Sequence, residues 1–435
     1  MTSNKNRGPI CVVVQDGAAL DLVAIARGAD AGEPALLFQY FDVGTRRLTR
    51  SVVGLEMKPL AGRSVSETLE ATASADSNFP VLLFMGTEYL NGDAVGEDGF
   101  PASVVLQLQT WLEIDHVTGQ ALLMSEREVD AHSLLDARLR KDATARRRQE
   151  SARVDTDWVH DVEPSSYFKK VAEVKHALDQ DGVHGAVLSI GLSRKTAADP
   201  FDIYRCIARS NPSTYGYVLR LGQHALIGCS PLAFMRLSGG RVQLETDAGT
   251  RPVTGDLDLD AAAEEDLRSN QKDATEHRVV VEAELESLTA IARDGRVDIP
   301  VGQQVRRFSH VMHLYTVLEA ELADGLSLAQ TIAGLAPAAA VSGHPKRAAL
   351  KIGLTVEGGT RGPYGGIIGL INPASGNAEM AVVIRSLWLS EGRASFRVGG
   401  KIVPDSDAAM EHRECLSKAI FLMEGVGCAE RLDSA

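Results

Sequence analysis

The feature that most constrains the fold is the grouping of strand-like segments into runs. Apolar segments follow one another with turns between them, as at Ile10-Cys-Val-Val-Val14, Ala35-Leu-Leu-Phe-Gln-Tyr40 and Val81-Leu-Leu-Phe-Met85. A second run starts at Gly185-Ala-Val-Leu-Ser-Ile190 and alternates strands with turns to about residue 255. Because regular strand–helix–strand alternation is scarce, a doubly wound sheet is disfavoured. We predict an α+β fold, a single large domain of mostly antiparallel β-sheets with helices packed on the outside.

Helical patterns occur at several places between these runs. Helices are predicted near residues 64–73 and from Ser165 to Leu178. The stretch of roughly 260–293 contains good helix formers and no Gly or Pro before Asp294-Gly295, which predicts one long helix. Two more helices are expected in the C-terminal part of the chain.

A strongly charged segment separates the two runs of strands. Residues 126–157 include Arg138-Leu-Arg-Lys141 and Arg146-Arg-Arg148, and we predict an exposed helix or connector there. A basic cluster could bind a partner, although a solvated face is the commoner explanation. The chain is therefore divided into a strand-rich N-terminal portion of the same fold with this connector, 1–157, and a C-terminal core, 158–430.

The composition excludes several classes of function. A chain of 435 residues is long enough for a substantial core, and its net charge of −13 argues against nucleic acid as a general partner. The five cysteines show no CxxC spacing, so neither a disulfide framework nor a zinc site is predicted. The polar start, Met1 to Pro9, and the absence of a long apolar run predict a cytoplasmic protein without membrane segments.

Two acidic pairs in the C-terminal half are candidates for a metal site. Asp273 and Glu276 form one pair, and Glu411 and Glu414 form the other. A spacing of i, i+3 on a helix places both carboxylates of a pair on one face. Two such helices facing each other would offer hard oxygen ligands to one Mg²⁺, which could then hold a small anionic substrate. Acids at this spacing are also common on solvated faces, so the spacing alone leaves both interpretations open.

Glycine-rich segments are concentrated in the same half of the chain. They include Thr246-Asp-Ala-Gly-Thr-Arg-Pro252, Gly358-Gly-Thr-Arg-Gly-Pro-Tyr-Gly-Gly366 and Gly399-Gly-Lys401. Each is either a structural turn or a loop whose backbone N–H groups cradle an anion. None has Walker A or Rossmann spacing, so nucleotide binding is disfavoured. Their concentration alongside Arg385 and Lys418 favours a shared anion pocket.

A set of ordered motifs carries a family resemblance. These motifs are Ala248-Gly-Thr-Arg-Pro252, Phe308-Ser-His-Val-Met-His-Leu314, Val341-Ser-Gly-His-Pro-Lys346, Arg361-Gly-Pro-Tyr-Gly-Gly366, Ile384-Arg-Ser386 and Asp405-Ser-Asp407. Together they resemble the chorismate-utilising family of anthranilate, aminodeoxychorismate, isochorismate and salicylate synthases. The resemblance is close over about residues 165–425. It is fainter through Met85-Gly-Thr-Glu-Tyr-Leu90 and Trp111-Leu-Glu-Ile-Asp-His116. It implies the family's chorismate-binding fold, with chorismate or a chorismate-like anion as the substrate.

The resemblance implies a role for both acidic pairs. All four carboxylates fall on the family's Mg²⁺ ligands, Asp273 being a shortened Glu. The ion neutralises the ring carboxylate of chorismate and withdraws electrons as the 4-hydroxyl leaves and a nucleophile enters. Gly399 and Gly400 fall in the loop whose backbone amides hold the same carboxylate.

Five further residues are implied to contact the substrate. Arg385 and Tyr364 fall on the residues that bind the enolpyruvyl carboxylate. Lys418 falls on the lysine of the family's final helix. His313 matches the histidine that contacts the ring, and Thr250 lies in the loop that lines the substrate.

The same resemblance narrows the reaction. Members that aminate C4 carry a lysine where this chain has Ala248, so attack at C2 is implied. Water-using members carry a lysine base at the position of Gly185 or Ala186, and neither residue can accept a proton, which favours ammonia as the nucleophile. Asn211-Pro-Ser-Thr-Tyr215 resembles the anthranilate and aminodeoxychorismate branch. The sequence contains no glutaminase, so ammonia would come from solution or from a separate glutamine amidotransferase subunit.

Four departures from the family pattern affect the acid–base groups. The family's general acid is a Glu in Ser-Pro-Glu, and this chain has Leu232 there, a loss that ordinarily lowers the rate by about 10²–10⁴. Asp247, His344 and Lys401 replace residues of the motifs Pro-Ile-Ala-Gly-Thr, Ser-Gly-Ala-Pro-Lys and Gly-Ala-Gly. Together with His313, these three residues are the candidate catalytic groups.

Three hypotheses of function follow. The first is a Mg²⁺-dependent lyase acting at C2 of chorismate, similar to anthranilate or 2-amino-2-deoxyisochorismate synthase, with modified chemistry or substrate in a specialised aromatic pathway. The second is an isochorismate or salicylate synthase, and the third is a catalytically idle paralogue that binds chorismate. Retention of four clustered carboxylates favours an active protein, because buried acids are unfavourable unless a cation neutralises them.

Overall fold

The described part of the chain covers most of the sequence. A computed structural model describes residues 9–14, 20–30, 32–42, 44–60, 64–74, 78–91, 100–148, 157–307 and 311–432. Two sequence predictions fall partly outside these ranges. They are the start of the motif at Phe308-Ser-His310 and the part of the charged segment at 149–156.

The strands of the described ranges form one continuous sheet in which every pairing is antiparallel. The strands are β1 (Ile10–Val13), β2 (Ala35–Phe41), β3 (Leu48–Pro59), β4 (Val81–Met85), β5 (Ser103–Asp115), β6 (Gln120–Ser125), β7 (Val159–His160), β8 (Gly185–Lys195), β9 (Tyr215–Leu221), β10 (His224–Ser230), β11 (Ala233–Ser238), β12 (Arg241–Pro252), β13 (Asp298–Arg307), β14 (Val311–Glu321), β15 (Gly343–His344), β16 (Ile367–Asn372), β17 (Asn377–Val382), β18 (Ser386–Ser390) and β19 (Arg393–Ile402). The predicted α+β class with antiparallel sheets is confirmed.

The helices connect these strands and pack against the sheet. They are α1 (Leu22–Arg27), α2 (Val65–Ser74), α3 (Thr87–Asn91), α4 (Ala131–Arg148), α5 (Pro164–Asp181), α6 (Pro200–Ser210), α7 (Leu257–Ser269), α8 (Gln271–Ile291), α9 (Leu328–Leu335), α10 (Ala339–Ser342), α11 (Lys346–Glu357) and α12 (Ala408–Leu432). The helices predicted near 64–73 and 165–178 are α2 and α5. Across the ranges described above, none of the helices is both long and apolar enough to span a membrane.

Strands from both ends of the chain lie side by side in the sheet. β2 pairs with β9, and β4 pairs with β16, so the N-terminal strands are interleaved with later ones. The longest pairing without a register shift joins β8 to β19, from Arg393 opposite Lys195 to Ile402 opposite Ala186. This register places Lys401 opposite Val187, next to the start of β8, which matters for the site described below.

The helices α5, α6 and α12 cover one face of the sheet over an apolar core. Tyr167 and Phe201 are fully buried in this core, together with Phe396 of β19. At Gly425 of α12 an added Cβ would lie 2.2 Å from Ile207 Cγ2, so only glycine permits this close approach of α12 to α6. The packing fixes α12, which carries the second acidic pair.

The predicted absence of disulfides is wrong at one place. Cys206 of α6 and Cys428 of α12 form a disulfide, with their Cα atoms 6.1 Å apart. The two cysteines are separated by 222 residues, and only the packing of the two helices brings them together. Spacing rules that rely on nearby cysteines therefore had no signal to detect.

The predicted long helix over 260–293 is also wrong, because the chain breaks it at Asn270. This residue has an extended backbone and its side chain accepts hydrogen bonds from the N–H groups of Lys272 and Asp273. Asn270 thus caps the N-terminus of α8 and ends α7. The break matters because Asp273 and Glu276 lie in the first turns of a new helix.

The charged segment is a helix, but it is not wholly exposed. In α4 the side chain of Arg138 is buried and its guanidinium donates to the carbonyl of Leu55 in β3. Asp142 of the same helix is buried and pairs with Arg27 at 3.4 Å. The prediction of an exposed helix is therefore wrong for these side chains, which tie α4 to the sheet and to α1.

Candidate active site

One cavity gathers most of the predicted site residues. It has a volume of about 290 Å³ and lies between the sheet and the helices α8, α10 and α12. Its lining residues are Pro231, Leu232, Asp247, Ala248, Gly249, Thr250, Glu276, His313, Ala340, Val341, Tyr364, Ile384, Arg385, Arg397, Val398, Gly399, Gly400, Lys401, Glu414, Ser417 and Lys418. Distant segments of sequence therefore meet at one site, as the shared-pocket hypothesis requires.

Arg385 gives the cavity an uncompensated positive charge. Among the residues that the structure describes, no carboxylate lies within ion-pairing distance of its guanidinium, which lies 5.9 Å from the ring of Phe421. Burial lowers the pKa of Arg385, but a guanidinium stays charged at any physiological pH. Its backbone has a positive φ of 50°, an unfavourable conformation that functional sites often retain. A buried cation without a partner is suited to binding an anion.

Lys418 and Tyr364 lie around the glycine pair of β19. Lys418 Nζ donates to the carbonyl of Gly399 at 3.0 Å and pairs with Glu414 Oε1 at 2.8 Å, and this contact lowers the pKa of Glu414. An added Cβ at Gly399 would lie 2.6 Å from Tyr364 Oη, so the position requires glycine. Burial raises the pKa of Tyr364 to about 12, and its hydroxyl therefore remains a donor.

His313 is held as a neutral imidazole. Its Nδ1 lies 2.9 Å from the carbonyl of Gly249 and 3.0 Å from the hydroxyl of Thr250. Because a carbonyl can only accept, the proton is on Nδ1 and Nε2 is an acceptor. Burial lowers the pKa of His313 to about 4, so the ring is uncharged near neutral pH. His313 can position a substrate or accept a hydrogen bond, but it cannot supply a proton.

The four predicted metal carboxylates do not all point to one place. Lys272 Nζ lies 3.5 Å from Glu276 Oε1 and 3.3 Å from Glu411 Oε1, so these two acids, from α8 and α12, share one ammonium. Asp273 pairs with Arg251 at 2.6 Å, and Glu414 pairs with Lys418. Within the described ranges, no group of three or more acidic, His or Cys side chains is arranged to hold a metal ion.

Glu276 and Glu411 nevertheless fit a divalent cation. Their oxygens converge on a single positive charge, and Mg²⁺ in enzymes commonly takes one or two carboxylates and completes its shell with substrate and water. Burial raises the pKa of Glu276, as expected for a carboxylate that needs a cation close by. Asp273 and Glu414 would join only after leaving their present partners.

Lys401 extends into the space beside Gly185. Its Cδ lies 3.5 Å from the position that a Cβ of Gly185 would occupy, because β19 runs alongside β8. Burial lowers the pKa of Lys401 to about 8. In the described part of the chain, its ammonium makes no ion pair within 4.0 Å. Sequence comparison found no base at Gly185, and only the strand register could have shown that a lysine reaches this space.

Leu232 and Asp247 both line the cavity. Leu232 is 5% exposed and packs in an apolar cluster with Phe234 and Met235. Asp247 lies on β12 opposite Tyr315, and its Oδ1 is buried without a hydrogen-bond partner. Burial, helped by the charge of Glu245, raises the pKa of Asp247 to about 7. The site therefore contains a carboxyl group that the motif comparison located only approximately.

His344 does not line the cavity. It lies on β15 opposite Gly185, its ring stacks on that of His184 at 5.3 Å, and its Nδ1 lies 3.8 Å from Glu286 Oε2. This placement gives no support to the predicted catalytic role. The position of His344 in its motif predicted that it lies near the pocket. The pairing of β15 with β8 instead places it outside the cavity lining.

Two motif residues that sequence reasoning left without a role hold the loops behind the cavity. Lys346 Nζ donates to Glu284 Oε2 at 2.6 Å and to the carbonyl of Leu335 at 2.7 Å. Arg361, which is fully buried, pairs with Glu357 and donates to the carbonyl of Val341 at 2.8 Å. The signal was present in the sequence, since both are charged residues in apolar, glycine-rich surroundings.

The fold is an α+β arrangement in which a cavity lies between a large antiparallel sheet and the helices α8, α10 and α12. A family model described as chorismate binding enzyme matches residues 57–424. The chain belongs to this family of chorismate-binding enzymes.

Curated relatives agree with this assignment. The chain is 32% identical over 351 residues to anthranilate synthase component 1 of Streptomyces coelicolor, a match that covers 76% of this chain and 68% of that protein. It is also 32% identical over 314 residues to anthranilate synthase component 1 of Arthrobacter globiformis, covering 67% and 59%. The chain thus spans less than two thirds of the length of the second relative.

Solved structures share the fold. Anthranilate synthase component I from Streptococcus pneumoniae matches with a TM-score of 0.69 at 22% identity, covering 90% of this chain and 92% of that chain. MenF, the menaquinone-specific isochorismate synthase from Escherichia coli, matches with a TM-score of 0.74 at 19% identity, covering 97% and 96%. At these identities the likeness concerns the fold and does not choose between the two reactions.

Proposed function

We propose that this protein is a Mg²⁺-dependent enzyme that adds ammonia at C2 of chorismate or of a closely similar dianion. The product would be 2-amino-2-deoxyisochorismate or anthranilate. One observation carries the proposal: Arg385 places an unpaired cation in a cavity that Glu276 and Glu414 line from the opposite helices. A dianion bridging Arg385 and a metal at Glu276 would satisfy both charges.

The roles of the binding residues follow from their positions. Arg385 and the Tyr364 hydroxyl would bind one carboxylate, and the backbone of Gly399 and Gly400 would hold the ring carboxylate. His313, fixed by Gly249, would contact the ring. Mg²⁺, held by Glu276 and Glu411 with Asp273 and Glu414 close by, would neutralise the ring carboxylate and draw electron density from the ring.

The source of ammonia is part of the proposal. The chain's relatives are named component 1, which by name implies a further component. We infer that a separate glutamine amidotransferase subunit delivers ammonia to the cavity, and that free ammonium replaces it in its absence.

Lys401 favours a second candidate function. Its amine lies beside Gly185, and with a pKa of about 8 a fraction is unprotonated near neutral pH and can accept a proton from water. Addition of water in place of ammonia would make the protein an isochorismate or salicylate synthase. The placement of Lys401 removes the main objection to that reaction, which was the lack of a base at Gly185.

The first prediction separates these functions. Purified protein incubated with chorismate, Mg²⁺ and ammonium is expected to give an amine-containing product that needs both additions, detected by mass spectrometry. A hydroxylated product formed without ammonium would instead support the second candidate. If chorismate is not consumed under either condition, the enzyme assignment fails for this substrate and the idle paralogue is supported.

Lys401→Met tests the base. If Lys401 activates water, the variant is expected to form water-derived product about 10²–10⁴ times more slowly, while the ammonia-dependent rate changes less than about tenfold. Ammonia needs less activation, which is the physical reason for the difference. Initial rates measured with and without ammonium give the ammonia-dependent rate and the water-dependent rate.

Lys351→Met is the matched control for this comparison, because Lys351 is exposed on α11. It is expected to leave both rates unchanged. Equal losses of both rates in the Lys401 variant would show that the lysine binds substrate and does not act as a base.

A further inference from the structure

Two carboxyl groups on β12 are held in opposite states. Glu245 and Asp247 are two residues apart on a strand, so they share a face. Arg236 of β11 pairs with Glu245, and Arg306 of β13 does so at 3.0 Å. These cations outweigh burial and lower the pKa of Glu245. Glu245 is thus an ionised group whose charge is fully balanced.

Asp247 receives no comparable support. Arg306 is bound to Glu245 and lies over the ring of Tyr315 at 4.0 Å, so it offers Asp247 only a weak attraction. Asp247 Oδ1 is buried and accepts no hydrogen bond. An ionised carboxylate in that position would be unfavourable, whereas a protonated carboxylic acid is neutral and has a proton to donate. Pairs of acids whose surroundings separate their pKa values are a common basis of acid–base assignment.

Asp247 lies where its proton could be donated to a bound substrate. Asp247 and Leu232 line the same cavity, and Leu232 packs in an apolar cluster and has no proton to donate. His313 is neutral with its Nδ1 proton given to Gly249, and Lys401 lies by Gly185 on another strand. Of the other carboxyl groups that line the cavity, Glu276 pairs with Lys272 and Glu414 pairs with Lys418. Asp247 makes no ion pair with the described residues, so it is the acid of the lining best suited to donate a proton to a hydroxyl leaving the ring.

We propose that Asp247 is the catalytic acid of this enzyme, supplied from β12 in place of the side chain that Leu232 cannot provide. The inference rests on the proposed function. In the step, the lone pair of the nucleophile forms a bond to C2, both conjugated ring double bonds shift by one position, and the C4–O bond breaks with its electron pair on oxygen. Asp247 gives its proton to that oxygen, which leaves as water, and Asp247 becomes a carboxylate. The proton released by the nucleophile later restores it through solvent.

The pH dependence has a definite sign. Asp247 acts while it is protonated, so turnover is expected to fall as the pH rises through about 7. The groups that face it are Glu245 on its own strand, Arg306 from β13 and Tyr315 from β14. Glu245 is already ionised and Tyr315 titrates well above this range, so neither explains such a loss of turnover. Lys401 lines the same cavity and has a pKa of about 8, and the Asp247→Asn variant below separates its titration from that of Asp247.

Asp247→Asn keeps the shape of the side chain and removes the proton. Its kcat for chorismate is expected to fall by about 10²–10⁴ with KM changed only a few fold, and the loss of rate above about pH 7 is expected to disappear from the residual activity. Asp298→Asn, an exposed acid on β13, is the matched control and should behave as wild type. Melting temperatures of all variants report on folding.

A double variant moves the carboxylic acid from position 247 to position 232 of the cavity lining. The kcat of Leu232→Glu combined with Asp247→Asn is expected to be at least tenfold higher than that of Asp247→Asn alone. Wild-type turnover that persists in Asp247→Asn with an unchanged pH profile overturns this inference but not the proposed function. A folded double variant no faster than the single one also overturns it. If wild-type protein does not consume chorismate at all, the proposed function fails, and this inference fails with it.

Discussion

Replacing Arg385 by methionine is expected to weaken chorismate binding more than any other change at the cavity. The guanidinium has no carboxylate partner within the described residues, so a substrate carboxylate would be its counter-ion. Removing one partner of a buried charge pair costs about 2–5 kcal/mol, which corresponds to roughly 30- to 5,000-fold. The loss should appear mainly in KM and in the affinity for unreactive analogues, because Arg385 binds the substrate and is remote from proton transfer.

Steady-state kinetics and equilibrium binding would measure this effect. Arg385→Lys keeps the charge but loses the two-pronged contact, and it is expected to lie between the methionine variant and wild type. Arg347→Met removes an exposed arginine of α11 and serves as the control. Unchanged affinity in Arg385→Met would show that the substrate carboxylate lies elsewhere in the cavity.

The largest expected effect on stability comes from Lys346. Lys346→Met leaves Glu284 buried without its ammonium and removes the donor to the carbonyl of Leu335. Breaking a buried ion pair from one side typically destabilises a protein by about 3–5 kcal/mol, because an uncompensated charge remains. Among the described residues, the N–H of Ala339, 2.7 Å away, would be the remaining hydrogen-bond partner of Glu284. Urea unfolding curves would measure the change in the free energy of unfolding.

Two variants test whether the buried charge is the cause. Lys346→Met combined with Glu284→Gln is expected to recover much of the lost stability, since no charge is then left unpaired. Arg293→Gln breaks exposed pairs with Glu321 and Asp324 and should cost less than about 1 kcal/mol. If the double variant is as unstable as the single one, the loss comes from packing around Lys346 and not from the isolated charge of Glu284.

Much of the fold could be predicted because local patterns agree with it. The strand at Val81–Met85 and the helix over Ser165–Leu178 carry clear periodicity, and the antiparallel class follows from the order of such segments. The break at Asn270 was missed because a single capping residue inside a stretch of helix formers gives a weak signal. The disulfide was missed because it depends on helix packing.

The position of each family motif in the sequence was enough to predict which residues meet at the candidate site. Arg385, Tyr364 and Lys418 do meet in one cavity, as the family motifs imply. The protonation state and the position of a side chain in the cavity depend on residues of neighbouring elements, which motif position does not show. The state of Asp247 depends on its burial by surrounding elements and on Glu245, and the reach of Lys401 depends on the register of β19 with β8. The same reason explains why His344 was misplaced.

The ammonium of Lys272 lies where a bound cation would neutralise the carboxylates of α8 and α12. With its ammonium between Glu276 and Glu411, the two helices can approach without mutual repulsion before any ligand arrives. Under the proposed function, a divalent ion would compete with a tethered cation that is present at high effective concentration. That competition would disfavour a permanently loaded enzyme. It would favour joint entry of metal and substrate, in which the metal replaces the ammonium and the dianion balances the charge of the metal.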